Sequence, residues 1–316
     1  MVACSPWPAR VGPAKGRGHG AIIAPLRISP AMTGHAPPAR HARYFHEGPP
    51  PVPTAAAGEW NIAVADGPVV ATAIHDGHAI RPSLRPLLVL PDRERLGEED
   101  PLTGVLTAVG DVRIQVPTSR FELDLNRPRD AAVYARPEDC WGLQVWRDTL
   151  PGPEIERSLA SWDRFRAMVT ELLDRLLERW EAVLLIDLHS YNHRRDGPDA
   201  ETASQEANPD IELGLTTADH ERWGATCERF AAALRATPVN GHAPDVRANV
   251  RFPTGGDFPE WVYSRWGTRV CTISPEYKKI FMDEHTGQAD IAALYALREG
   301  LQSAVDAVRP DFGARR

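Results

Sequence analysis

The chain has 316 residues, 42% of them hydrophobic and 25% charged, enough to bury a substantial core in one large α/β domain or two small ones. A formal net charge of −7 argues against broad nucleic-acid binding, since no surface-wide positive field is available to neutralise phosphates; a local arginine cluster can still hold a small anion. No apolar run approaches the roughly 18 residues of a membrane span, and the four cysteines, at 4, 140, 227 and 271, form no Cys-x-x-Cys pair, so a cytoplasmic location without a disulfide framework is expected.

Residues 1–43 are rich in Pro, Gly, Ala and Arg and carry no hydrophobic periodicity, the pattern of a disordered tail. Met32 is an alternative start that would leave residues 1–31 untranslated, and a single domain is expected over 44–316 with order beginning near Trp60. Residues 69–74 read as a buried strand leading to His75. Over residues 158–180 apolar side chains recur at intervals of three and four (Leu159, Trp162, Phe165, Val169, Leu172, Leu173), which predicts a helix with one buried stripe. Residues 182–186 form the clearest strand and run on through Asp187 to His189. A helix is predicted over 219–236, weak alternation over 246–252, a short strand over 269–273 and a last helix over 288–308. Helices that lead repeatedly into apolar strands indicate an α/β sandwich with a largely parallel or mixed sheet. In open α/β sheets ligands bind beyond the carboxyl ends of the strands, and His75, His189 and Glu276 each stand just after one.

Four constellations carry chemistry. His75-Asp76-Gly77-His78 places two histidines three apart at a strand-to-turn junction, where Gly77 permits the bend that lets both reach one metal. Alone, the same motif describes two surface histidines in a turn. In Leu185-Ile186-Asp187-Leu188-His189-Ser190-Tyr191, Asp187 and His189 share a face of the strand, so the acid suits the orienting of a metal-ligating ring. Otherwise both merely end a buried strand, and each then needs a partner. Arg120 with Phe121-Glu122-Leu123-Asp124-Leu125-Asn126-Arg127-Pro128 groups two arginines and an asparagine, which suit bidentate grip of a carboxylate or else form a solvated loop. In Ile273-Ser274-Pro275-Glu276-Tyr277-Lys278 a carboxylate leaves a buried strand, as a general base to a metal-bound water or as solvated surface.

Together these stretches resemble the N-formylglutamate amidohydrolase family over about residues 68–290, a family similar in fold to the zinc carboxypeptidases and to the aspartoacylase and succinylglutamate desuccinylase group. The resemblance rests on the His75 turn, Asp124-Leu125-Asn126-Arg127, Asp187-Leu188-His189-Ser190, Asn249-Val250-Arg251-Phe252 with Gly255-Gly256, and Glu276 with the segment to Asp283. It implies a three-layer α/β/α sandwich of zinc carboxypeptidase type around a central mixed, largely parallel sheet. It implies one zinc per chain, held by His75, His78 and His189, with Asp187 behind the last. Glu276 would activate water and return the proton to the leaving amine, with Arg120 polarising the scissile carbonyl. Asn126 and Arg127 would clamp the substrate's carboxylate, and the loop from Arg251 to Gly255 and Gly256 would close over it. Carboxypeptidase-like sites usually read His-x-x-Glu; here His78 stands at the glutamate position, and Asp76 is an alternative second ligand. The activity implied is hydrolysis of a small anionic N-acyl amino acid, foremost N-formyl-L-glutamate to formate and glutamate. Neither a nucleic acid nor a membrane is expected as partner, and a homo-oligomer is left open. The alternatives are a hydrolase of another N-acyl amino acid or small peptide, and a non-catalytic binding protein on the same fold.

Overall fold

The computed structural model describes residues 59–194 and 197–316; the tail expected over 1–43, and residues 44–58 of the expected domain, lie outside the described residues. In chain order, β1 (Asn61–Val64) and β2 (Val69–Ala73) precede two short helices, α1 (Asp92–Glu98) and α2 (Thr103–Leu106), and β3 (Val112–Gln115). Next come α3 (Gly152–Arg179), β4 (Val183–Asp187), β5 (His189–Tyr191) and β6 (Ile211–Gly214). The chain ends through α4 (His220–Ala236), β7 (Val246–Ala248), α5 (Asp257–Trp266), β8 (Val270–Lys278) and α6 (Ile291–Val308).

One sheet has the order β1-β3-β2-β4-β8-β6-β7. β3, β2, β4 and β8 run parallel, and among the described strands only β1 against β3 and β6 against β8 pair antiparallel. β5 lies against β8 in the register that β4 began, Val183 facing Val270 and His189 facing Glu276, so it prolongs β4 beyond a break at Leu188. Every residue of β2 and β4 is buried. That is why these strands read in the sequence as unbroken apolar runs: a parallel strand covered on both faces has no solvent side to alternate with.

Successive side chains point to opposite faces, and the core divides accordingly. Leu184, Ile186, Cys271 and Ile273 pack with Phe230 of α4 and Leu297 and Leu301 of α6. Val183, Leu185 and Val270 pack with Phe165, Val169 and Leu173 of α3 and with Phe258 and Val262 of α5. The result is the three-layer α/β/α sandwich around a mixed, largely parallel sheet. Among the described residues no helix is long and apolar enough to cross a membrane.

The helix starts follow capping chemistry. The Asp219 and Asp290 carboxylates accept from the amides of Arg222 and Ala293, at 2.8 and 3.0 Å, and so satisfy amides that the first turn leaves without intrahelical partners. α3 begins six residues before the expected Ser158, because Pro153 and Glu154 in its first turn favour a start there. The alternation over 246–252 yields a strand only to Ala248. Asn249 then turns left-handed (φ 54°), its Oδ1 accepts from the Leu215 amide at 2.9 Å, and the remainder becomes a loop. A separate cluster around Phe121, Tyr134 and Trp146 gives the irregular stretch between β3 and α3 a core of its own and presents residues 120–127 to the sheet edge.

Leu185 has no exposed surface in the middle of the sheet. Leu185→Ala should therefore cost about 2–5 kcal/mol in urea unfolding, since a rigid neighbourhood cannot collapse around the cavity. Breaking the exposed pair Arg175–Glu171 with Arg175→Ala should change stability by less than about 1 kcal/mol in the same assay.

Candidate metal centre

β2 ends at Ala73 and delivers His75, 1% exposed, at its carboxyl end; β4 ends at Asp187, and His189, 3% exposed, opens β5. A third group arrives from the turn after α1. The Asp100 amide donates to the His75 carbonyl at 2.9 Å, which locks this turn to the strand end. His75, Asp100 and His189 bring their ligand-capable atoms within 4.8 Å of one another, and all three are buried. Asp100 Oδ2 lies 3.4 Å from His75 Nδ1 and 3.0 Å from His189 Nδ1. The other ring nitrogens face away: His75 Nε2 meets Asp124 Oδ1 at 2.7 Å, and His189 Nε2 meets Asp187 Oδ2 at 2.9 Å. Asp187 in turn accepts from Thr72 Oγ1 at 2.7 Å.

A neutral imidazole has one N–H and one lone pair. Here each ring has a carboxylate oxygen beside both nitrogens. If Nε2 donates to Asp124 and Asp187, the two Nδ1 lone pairs and Asp100 Oδ2 converge on one point with nothing positive between them. His75 Nδ1 is indeed buried without a hydrogen-bond partner. Either protons or a divalent cation must balance this arrangement, and two imidazoles with one carboxylate, each ring held from behind by an acid, form a suitable donor set. The electrostatics agree: burial disfavours a charged His189, yet Asp187 and Asp100 outweigh it and hold its pKa well above the usual imidazole range.

The structure does not bring His78 or Asp76 into this group. The His78 side chain is 40% exposed, its Nδ1 is paired with Glu99, and its Nε2 lies 2.9 Å from Arg95 Nη2. Asp76 accepts from the backbone at Leu102 and Gly104, at the start of α2, and burial raises its pKa. Asp100 stands where the third ligand was expected.

Glu276 is the β8 partner of His189, so both side chains project to the same side. It is half-buried and lines a cleft that His189, Asn126, Phe252, Gly255 and Gly256 also line. Burial pushes its pKa up to about 8; Asp100 and Asp187 add to the rise, while His189 and Arg120 oppose it. A bound cation would draw it back down.

Asp124 gathers the residues around Asn126. It is wholly buried and accepts from Arg120 Nη2 and the Asn126 amide, both at 2.8 Å, and from the Tyr134 hydroxyl. Arg127 Nε lies 3.9 Å away. Burial alone would protonate Asp124, but Arg120 and His75 hold its pKa well below the carboxylate range. Asn126 Oδ1 accepts from the Phe258 amide at 2.9 Å, which leaves the NH2 end of this side chain to the cleft. A Cβ on Gly256 would overlap the Asn126 side chain, and one on Gly255 would sit 2.6 Å from Thr216 Oγ1, so this loop can close on its neighbours only with glycine at both positions. The Arg251 guanidinium stacks on Tyr191 and Phe252, 4.6 and 5.3 Å from their ring centres, and bonds Asn208.

Residues 67–278, which span every group just described, match the family model described as N-formylglutamate amidohydrolase. The chain belongs to the N-formylglutamate amidohydrolase family. None of the curated proteins matches it. In fold it is similar to the N-formylglutamate amidohydrolase of Ralstonia eutropha JMP134, with a TM-score of 0.63 and 17% identity over 80% of this chain and 97% of that one. A gene product of Agrobacterium tumefaciens gives 0.49 and 15% over 79% and 96%. A metallo-carboxypeptidase of Burkholderia cenocepacia gives 0.37 and 12% over 80% and 60%.

The donor set separates Asp100 from His78 experimentally. Asp100→Asn should abolish metal uptake in elemental analysis of the purified chain, whereas His78→Ala should retain the wild-type stoichiometry. Asp187→Ala, which removes only the support behind His189, should weaken metal binding about 10- to 100-fold.

Proposed function

We propose that residues 44–316 form a single metallohydrolase domain that holds one zinc ion through His75, Asp100 and His189 and hydrolyses the amide of a small anionic N-acyl amino acid, N-formyl-L-glutamate first among them. The observation that carries this reading is that one cleft is lined by Glu276, His189 and Asn126 together. His75, Asp100 and His189 would hold the zinc, which when bound would supply Lewis-acid chemistry towards water and a carbonyl.

The chain's own groups do the rest. Glu276 takes a proton from the attacking water and passes it to the leaving nitrogen, a role that suits a carboxylate beside His189 in the cleft. Arg120 stays charged under burial because Asp124 faces it, and supplies positive potential where the oxyanion develops. The Asn126 NH2 and the Arg127 guanidinium hold the substrate's carboxylate, with the Arg251–Gly256 segment as the wall beside it. Arg120 and Arg127 are both drawn towards Asp124, so their forks are oriented before substrate arrives. A cytoplasmic location belongs to the same reading.

Glu276→Gln should leave metal content and KM near wild type while lowering kcat about 10²- to 10⁴-fold, the usual worth of a general base. Arg127→Ala should instead raise KM for N-formyl-L-glutamate. The assay is formate release from N-formyl-L-glutamate beside a panel of N-acyl amino acids, with metal-loaded protein. Turnover of none of them would sink the proposal and favour a binding protein.

A further inference from the structure

Glu212 lies on β6 directly opposite Glu276 of β8 in the antiparallel register, with no exposed surface. Its carboxylate accepts from two successive backbone amides of the next loop. Both oxygens lie 2.9 Å from the Arg251 amide, and Oε1 also lies 2.9 Å from the Phe252 amide. A carboxylate taken out of water needs such donors, and the loop that supplies them is the one whose Phe252, Gly255 and Gly256 wall the cleft.

The loop is tied at other points as well. Asn249 in its left-handed turn accepts from the Leu215 amide, Gly255 packs against Thr216, and Gly256 packs against Asn126. Glu212 grips the loop at its middle rather than at an end, through the backbone amides of Arg251 and Phe252. We infer that Glu212 is a positioning residue: it fixes the 249–256 loop at the distance from Asn126 that substrate binding requires, and so governs affinity while Glu276 governs the chemical step. The inference rests on the cleft being the substrate site.

Glu212→Gln replaces one acceptor oxygen with an NH2 that faces the Arg251 N–H, donor against donor. Asn249→Gly keeps the left-handed backbone and removes only the tie to Leu215. In the metal-loaded chain both variants should speed hydrogen exchange of the 249–256 segment, Glu212→Gln by about 10- to 100-fold, the scale of a lost charge-assisted hydrogen bond. KM for N-formyl-L-glutamate should rise in both variants, with kcat within about threefold of wild type, since weaker uniform binding leaves the barrier from the bound state unchanged. Metal content should not change. Unchanged exchange in both variants would overturn the inference, as would faster exchange with KM unmoved and kcat lowered. Faster exchange in a chain that turns over no N-acyl amino acid would remove the proposed function and leave the loop anchor standing.

Discussion

One buried charge joins the two halves of the site. Asp124 has no exposed surface, and a lone carboxylate at that depth would take up a proton. It stays ionised because Arg120, His75, Tyr134 and the Asn126 amide all point at it. The same bonds do a second job. His75 is a candidate metal ligand and Asn126 lines the cleft, so the group that orients the imidazole also sets the backbone of a segment that walls the cleft. Neither can shift without leaving part of a buried carboxylate unpaired, which costs more than either bond contributes when made.

The charge balance follows from the sheet. β2 and β4 run parallel and end on the same side, which brings His75, Asp187 and His189 together there; β5 carries His189 alongside Glu276 of β8. Asp100, Asp124, Asp187 and Glu276 therefore crowd around two imidazoles, with Arg120 paired to one of the acids. Such an excess of negative charge in a weakly polarisable interior is unfavourable unless protons or a cation offset it. Asp100 itself remains well below the carboxylate range, despite burial, because His189 and His75 face it.

How much of this was legible depended on what each residue's neighbours in sequence reveal. The central strands and the three long helices were readable because burial on two faces leaves an unbroken apolar run and burial along one stripe leaves a helical period. β1, β3 and β6 run to four residues each, too short for a period to emerge, and α5 is a short helix with Pro259 in its first turn. His75, His189 and Glu276 were legible because each comes just after an apolar run in the sequence. Asp100 was not, because it ends the run Asp92-Arg93-Glu94-Arg95-Leu96-Gly97-Glu98-Glu99, which has the composition of a solvated helix. The run is tied down by Lys279, just beyond β8, whose Nζ donates to the carbonyls of Gly97 and Glu99 at 2.7 and 2.8 Å. No local pattern can announce a contact across 180 residues of sequence. His78 misled for the converse reason: its spacing from His75 is that of a ligand pair, but a partner supplied by the same acidic run, Glu99, claims its ring.

Glu212 and Glu276 show how the sheet assigns opposite tasks to the same residue type. They face each other across one rung, so their backbone settings are nearly equivalent. Glu212 is wholly enclosed and spends its oxygens on two amides, which fixes a loop and leaves little capacity for anything else. Glu276, one strand nearer the metal group, opens into the cleft, and burial beside Asp100 and Asp187 pushes it towards holding a proton. The difference lies in the partners each strand position meets, and β6 turning antiparallel against β8 puts the enclosed glutamate and the cleft-lining one on the same rung.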